Sequence, residues 1–271
     1  MQGASRDALA KAWARVETLL AGAPSARAAL VSQELFGVVG VLDEQPALRR
    51  ALSDPAVSAA RKTELADAVF ASRLDATTLE AVRSVVRDRW SRTRDLVDSL
   101  EELAVLARLI GAATDGLADE VEDELFRFGR IVESRPELHD ALSNRNLPID
   151  NKVSLVSALL DGKASAATVE LVRQAVAHPR TRTPEEVLGE YGAIAARRRQ
   201  RFVARVLVVV PMTDDERSRL GDALARLYGH DVHLQVEVDP QIVGGVVVHI
   251  GDDVIDGSII GRLSRARQQL K

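Results

Sequence analysis

The chain has 271 residues, 46% of them hydrophobic but only 3% aromatic, with a net charge of -4, a pI of about 5.8 and no cysteine. Disulfides and thiolate metal sites are thereby excluded, and an acidic chain offers no overall field for nucleic acid. A core built from Ala, Leu and Val favours packed helices, and the length suits one large domain or two or three small ones. Met1 to Arg15 mixes charges with Ala, which is unlike a signal peptide. No apolar run approaches the roughly 20 residues that span a bilayer.

In chain order, Arg6–Ala21 carries Leu9, Trp13, Val16 and Leu20 at helical spacing. Ser25 or Ser32 is the candidate cap of a second helix reaching Glu44. Pro46 and Pro136 each open a short helix, where a missing N–H costs nothing. Ser58–Phe70 and Ala76–Trp90 continue the pattern, and Asp95–Gly111, Leu117–Glu133, Ile149–Leu160 and Ala166–Ala177 repeat it. Thr183 caps a helix that starts at Pro184 and runs to about Gln200.

The repeat is explicit when the sequence is shifted by 90 residues. Between 34–86 and 124–176, 17 of 53 positions are identical without a gap, among them Glu34/Glu124, Phe36/Phe126, Pro46/Pro136, Lys62/Lys152 and Arg83/Arg173. Ala and Leu content does not explain shared Pro, Phe and Lys. Residues 94–111 match both 184–200 and 6–21. One helix is therefore expected to close the first bundle and open the second, as in a repeat stack. Its residues Leu96, Leu100, Leu103, Leu106 and Ile110 form a wide apolar stripe.

After Arg201 the period changes. Phe202–Val210 reads as a strand ending at Pro211, and Thr213-Asp214-Asp215-Glu216 is a capping box opening a helix that stops at Gly229. Val232, Leu234, Val236 and Val238 alternate with polar residues as a half-buried strand. Gly244–Ile250 is another strand, Gly251-Asp252-Asp253 a turn and Val254–Asp256 a short strand. Ser258 caps a last helix from Ile259 to about Leu270. The predicted fold is mainly α with a small C-terminal α/β domain. Two tandem helical bundles, 1–93 and 94–200 with helix 94–111 shared, precede a βαβββα-like domain at 201–271.

Chemistry is hard to place on this chain. The Gly-Gly and Gly-Asp-Asp positions lack the order of a phosphate loop, and Asp252, Asp253 and Asp256 do not match a calcium loop. His230, His233 and His249 lack metal-ligand spacing. The basic run Arg197, Arg198, Arg199 and Arg201 lacks the aromatics of a nucleic-acid surface. It reads as a solvated helix end complementing the dipole, or as a contact for an acidic partner segment. Neither a catalytic nor a cofactor-binding constellation can be proposed from spacing.

The stretch Ile242-Val243-Gly244-Gly245-Val246-Val247-Val248-His249-Ile250-Gly251-Asp252-Asp253-Val254-Ile255-Asp256-Gly257-Ser258, with Leu263 beyond it, resembles the delta subunit of F-type ATP synthases. That family is called the oligomycin-sensitivity-conferring protein in mitochondria. Its signature falls here on Gly244, Gly245, Gly251, Asp252, Ile255, Asp256, Gly257 and Ser258. Pro136-Glu137-Leu138, Leu142-Ser143-Asn144 and Lys152 are similar to its helical domain. Leu9-Ala10-Lys11-Ala12-Trp13 resembles its opening, with Leu9 where Tyr is usual. The duplication departs from the usual member and is similar to actinobacterial ones.

The resemblance implies a non-catalytic stator subunit without metal or cofactor, linking the catalytic head to the b stalk during proton-driven ATP synthesis. It implies a peripheral membrane protein on the cytoplasmic face of the cell membrane, attached only through the complex. No nucleic acid or small-molecule ligand is implied. The implied partners are the N-terminal helices of the alpha subunits and the b subunit. By this resemblance Leu9, Ala12, Trp13, Val16, Leu79, Val82 and Val86 of copy one flank an alpha-binding groove; because the first helix of copy two is shared and less free, copy one is expected to grip and copy two to be a spacer. The alternative is a cytosolic helical-repeat adaptor, which would not need the C-terminal Gly-Gly to Ile-Asp-Gly-Ser stretch.

Overall fold

The structure, a computed structural model, describes residues 3–144, 146–201, 203–228, 232–239, 245–250 and 253–256. Among these are twelve helices and four strands. The helices are α1 (Ala4–Leu20), α2 (Ser25–Glu44), α3 (Pro46–Ser53), α4 (Ala59–Phe70), α5 (Ala76–Arg87), α6 (Thr93–Thr114), α7 (Ala118–Ser134), α8 (Pro136–Ser143), α9 (Ile149–Leu160), α10 (Ala166–Ala177), α11 (Pro184–Arg201) and α12 (Asp214–Tyr228). The strands are β1 (Val203–Val208), β2 (His233–Val238), β3 (Val246–Ile250) and β4 (Asp253–Asp256). Two compact units result, Met1–Ala195 and Ala196–Lys271, so the division falls within α11.

The duplication is visible in the helix bounds. α3, α4 and α5 reappear as α8, α9 and α10, each displaced by 90 residues at both ends. The local causes are shared. Pro46 and Pro136 occupy the first helical turn of α3 and α8. Asp75 caps α5 by accepting from Thr77 N, and Ser165 caps α10 by accepting from Thr168 N. A carboxylate one helix away holds each cap residue. Glu34 accepts from Asp75 N at 3.0 Å, and its mate Glu124 accepts from Ser165 N at 3.1 Å.

Some expected ends move. Neither Ser25 nor Ser32 caps α2: Pro24 stands at that position without a side-chain bond, Ser25 is the first helical residue and Ser32 is buried. α5 stops at Arg87, not Trp90. The backbone turns extended at Asp88, and the Trp90 indole folds back to donate to Val85 O at 2.9 Å. α2 also corrects the expectation about apolar runs, because it is long and apolar enough to cross a membrane by length and composition. Its residues Ala28, Val31, Leu35, Val38, Val39 and Leu42 are instead buried in protein.

Two cores fill the first unit. The first is built from α1, α2, α5 and one face of α6, with Trp13 and Trp90 inside it. The second is built from α7, α9, α10 and α11, with Leu125, Val156, Leu171 and Tyr191. α6 feeds both. Its stripe Leu96, Leu100, Leu103, Leu106 and Ile110 enters the first core, while Val105, Leu109 and Ala112 enter the second. A helix with sixteen buried residues needs two partners, and the repeat supplies them.

In the second unit the sheet order is β2-β1-β3-β4. β1 and β2 run parallel around α12, which is the connection a parallel pair requires, while β1–β3 and β3–β4 are antiparallel. Thr213 and Glu216 form the expected capping box of α12: Thr213 N donates to Glu216 Oε2 at 2.9 Å, and Glu216 N donates to Thr213 Oγ1 at 3.3 Å. Ala204, Val206, Leu224, Leu234, Val248 and Ile250 form the core. The expected turn at Gly251, the cap at Ser258, the last helix, Gly229 and His230 lie outside the described residues.

Candidate docking surfaces

The seven copy-one residues that the resemblance points to come together where α1 meets α5. Leu9, Ala12, Trp13 and Val16 on α1 and Leu79, Val82 and Val86 on α5 all belong to the first core, and none is more than 8% exposed. Their positions at i, i+3, i+4 and i+7 put them on the inward face of each helix. Beside the seam, polar groups tie α1 to α6 and to the loop before it. Ser5 Oγ donates to Asp95 at 2.7 Å and accepts from Ser91 N, and Trp13 Nε1 donates to Glu102 at 2.7 Å. Outside the seam, Glu80 of α5 meets Arg15 of α1 at 3.1 Å and Arg87 at 3.7 Å. Arg83 clamps Asp67 through two bonds of 2.7 and 2.9 Å, and this holds the Asp67 carboxyl below the usual carboxylate range.

A second constellation was not foreseen from the sequence. Glu101 on α6 is 6% exposed. It accepts two bonds from Arg182, at 2.8 and 3.0 Å, and one from the Tyr191 hydroxyl at 3.0 Å. Arg180 reaches it at 2.7 Å and also pairs with Asp43 of α2 at 2.9 Å and with Asp98 of α6. Two of the Arg180 contacts lack hydrogen-bond alignment and act as charge contacts alone. Arg180 adopts φ 56°, a left-handed backbone unusual for a residue with a Cβ. Burial pushes the Asp98 carboxyl up despite Arg180, and burial followed by the Glu101 charge pushes the Tyr191 hydroxyl well above its usual range. The loop between α10 and α11 thus ties copy two to the α2 and α6 helices of copy one. The sequence carries little signal for it: Glu101 stands opposite the apolar stripe of α6, one turn before Val105, where a charge reads as solvated.

In the second unit, Gly245 takes φ 89° just before β3, a conformation that glycine permits without strain. Ile255 lies on β4 and is 38% exposed, and Asp256 pairs in register with Val247. Gly244, Gly251, Asp252, Gly257 and Ser258 lie outside the described residues. β4 is one outer strand of the sheet, and Val254 on it is 58% exposed.

Comparison with known proteins agrees with this architecture. The sequence profile of the ATP synthase delta (OSCP) subunit family matches twice, over residues 17–110 and 107–270. The two matches meet inside α6, the helix that both cores share. Proteins named ATP synthase subunit delta are similar over their whole length. The one from Acidothermus cellulolyticus is 59% identical over 272 residues, covering 100% of this chain and 99% of the relative. Those from Thermobifida fusca and Streptomyces avermitilis are 45% and 46% identical, covering 100% and 99% of this chain and 99% and 98% of the relatives. The chain therefore belongs to the ATP synthase delta (OSCP) subunit family, whose members are structural, non-catalytic stator subunits of the synthase.

Proposed function

We propose that the chain couples the catalytic head of the synthase to the b stalk at the cytoplasmic face of the cell membrane, held there through the complex alone. Rotation of the rotor puts torque on the head, and a connector that yields would let the head turn. The observation that carries this reading is the sharing of α6 between two cores, closed by the ionic junction around Glu101. Bundles at 1–93 and 94–200 built this way behave as one stiff lever, and residues 201–271 form the stalk-binding domain.

The alpha-subunit helices dock along the α1–α5 seam of copy one. The seven buried side chains set the spacing of the two helices, and the contact itself is made by their outward neighbours, Arg15, Glu80 and Arg87. Copy two acts as the spacer. The test is calorimetry of the full chain with a peptide covering the alpha-subunit N-terminus. Reversing Arg15 and Arg87 to Glu is expected to weaken binding by about tenfold. Unchanged binding to the folded variant places the seam elsewhere. Co-purification of tagged chain with b subunit, lost on deletion of 201–271 and kept on reversal of the seam, tests the stalk contact separately.

A further inference from the structure

α7, α8 and α9 of copy two enclose a groove of about 790 Å³. Phe128, Leu138, Leu155 and Leu160 line it, and Ile131 and Leu159 border it at 44% and 36% exposure. Copy one has the same three helices, and Leu48 and Leu65 pack inward as their mates Leu138 and Leu155 do, but Val41 and Val69 pack against their core where their mates Ile131 and Leu159 are exposed. Val38, Val41 and Val69 of copy one are smaller than Phe128, Ile131 and Leu159, but at two lining positions copy one carries the larger apolar side chain. Phe70, 3% exposed, stands where copy two has Leu160, and Leu74 stands where copy two has Ala164. The Phe70 ring and the Leu74 isobutyl group pack with the first core, while Leu160 and Ala164 line the open groove.

The walls say what can enter. They are helices, which spend their backbone groups internally. An extended peptide laid on this apolar floor would find no ladder for its own N–H and C=O groups. A helix satisfies those groups itself and can present an apolar stripe. The lining is net positive: Arg127, Arg135 and Lys163 stand against Glu124 and Glu137, and the Glu124 carboxylate is turned to Ser165 and Thr168 through bonds of 2.9 and 2.6 Å. Among the described residues Arg127 pairs with the exposed Asp123, which a partner carboxylate can replace at little cost.

We propose that this groove is a second docking site, for one amphipathic helix of a partner subunit with an aliphatic stripe at i, i+3 or i+4, and i+7 and acidic residues beside it. The test uses the full chain and labelled peptides of about 18 residues, roughly five helical turns. One peptide has the stripe with acidic flanks, one the same stripe with basic flanks, and one a scrambled stripe. In fluorescence anisotropy the acid-flanked peptide is expected to bind about tenfold tighter than the base-flanked one, and the scrambled peptide not at all. The variant Leu160→Phe/Ala164→Leu writes the copy-one residues into copy two. It should keep the wild-type circular dichroism, melt no lower, and lose binding by at least about tenfold. Arg135→Glu/Lys163→Glu should invert the preference between acidic and basic flanks, and it decides the matter alone if the filled variant does not fold. Undiminished binding to the folded, filled variant, an unchanged preference after charge reversal, or no binding of the acid-flanked peptide would overturn the proposal. The probes contain no synthase sequence, so their failure leaves the stator reading standing.

Discussion

Gly111 lies at a close approach of α6 to α2. A Cβ there would stand 3.1 Å from the Ser25 carbonyl oxygen and 3.2 Å from the Ala28 Cβ, and neither group can swing aside. Gly111→Val should therefore cost about 1–3 kcal/mol by overpacking. Gly37 on the outer face of α2 meets nothing within 4 Å, so Gly37→Ala should gain about 0.5–1 kcal/mol from helix propensity. Urea denaturation of the two variants checks both signs, and a loss at Gly37 or none at Gly111 would contradict the packing. Lys62 makes a different point. Burial lowers its pKa below 10.5, with Asp54 and Asp88 opposing the shift. The unfolded chain then holds this proton more tightly than the folded one, so stability at Lys62 rises as pH climbs from its lowered value toward 10.5. The rise should be shallower in Lys62→Met, which removes that titration and leaves every other one. Parallel pH profiles for wild type and variant, from urea midpoints between about pH 8 and 10, would show that the burial is not felt.

Helices α3, α4, α5 and their mates were legible because punctuation and periodicity agree: Pro at the first turn, Asp75 and Ser165 at the caps, and Leu or Val at each inward position. The dual role of α6 was only half legible. The five-residue stripe that announces it faces one core, and the second face is three small or medium residues, Val105, Leu109 and Ala112. The docking residues were less legible still. Residue spacing identifies an apolar face, but the face that packs and the face that docks obey the same period, and all seven proposed positions lie on the packing face. Sharing of α6 has a thermodynamic consequence. Leu109 belongs to the second core and is 2% exposed. Leu109→Ala should cost about 2–5 kcal/mol. Both tryptophans, Trp13 and Trp90, report on the first core. If the shared helix makes the two bundles one cooperative unit, the fluorescence midpoint of Leu109→Ala falls together with the circular dichroism midpoint. A fluorescence midpoint that stays at the wild-type value would mean that the copies melt independently.

At the scale of the molecule, a duplicated helical body is useful as a lever only if its two halves cannot bend at the joint. Apolar contact through α6 resists separation, but it is non-directional and tolerates sliding. The charge cluster is directional where it is hydrogen-bonded, from Arg180 to Asp98 and from Arg182 and Tyr191 to Glu101. Arg180 reaches Asp43 on α2 and Asp98 and Glu101 on α6 at once, and Arg182 and Tyr191 close on the same Glu101 carboxylate. Such a cluster adds little net stability over an apolar one, yet removing one member leaves a buried charge unpaired. Arg180→Met should therefore cost about 1–3 kcal/mol, because Asp98 loses its hydrogen-bonded cation while Glu101 keeps Arg182. It should also loosen the joint. The chain has no cysteine, so spin labels can be placed through Ala60→Cys in copy one and Ser154→Cys in copy two, both exposed positions. Electron–electron resonance should give one narrow distance distribution in the labelled protein and a broader one when Arg180→Met is added. Adding Asp98→Asn to Arg180→Met removes the stranded charge and should recover part of the stability. It should not recover the narrow distribution, since the directional contacts stay lost. A distribution of unchanged width in Arg180→Met would show that α6 alone sets the angle between the copies, and the rigidity of the stator would then rest on packing.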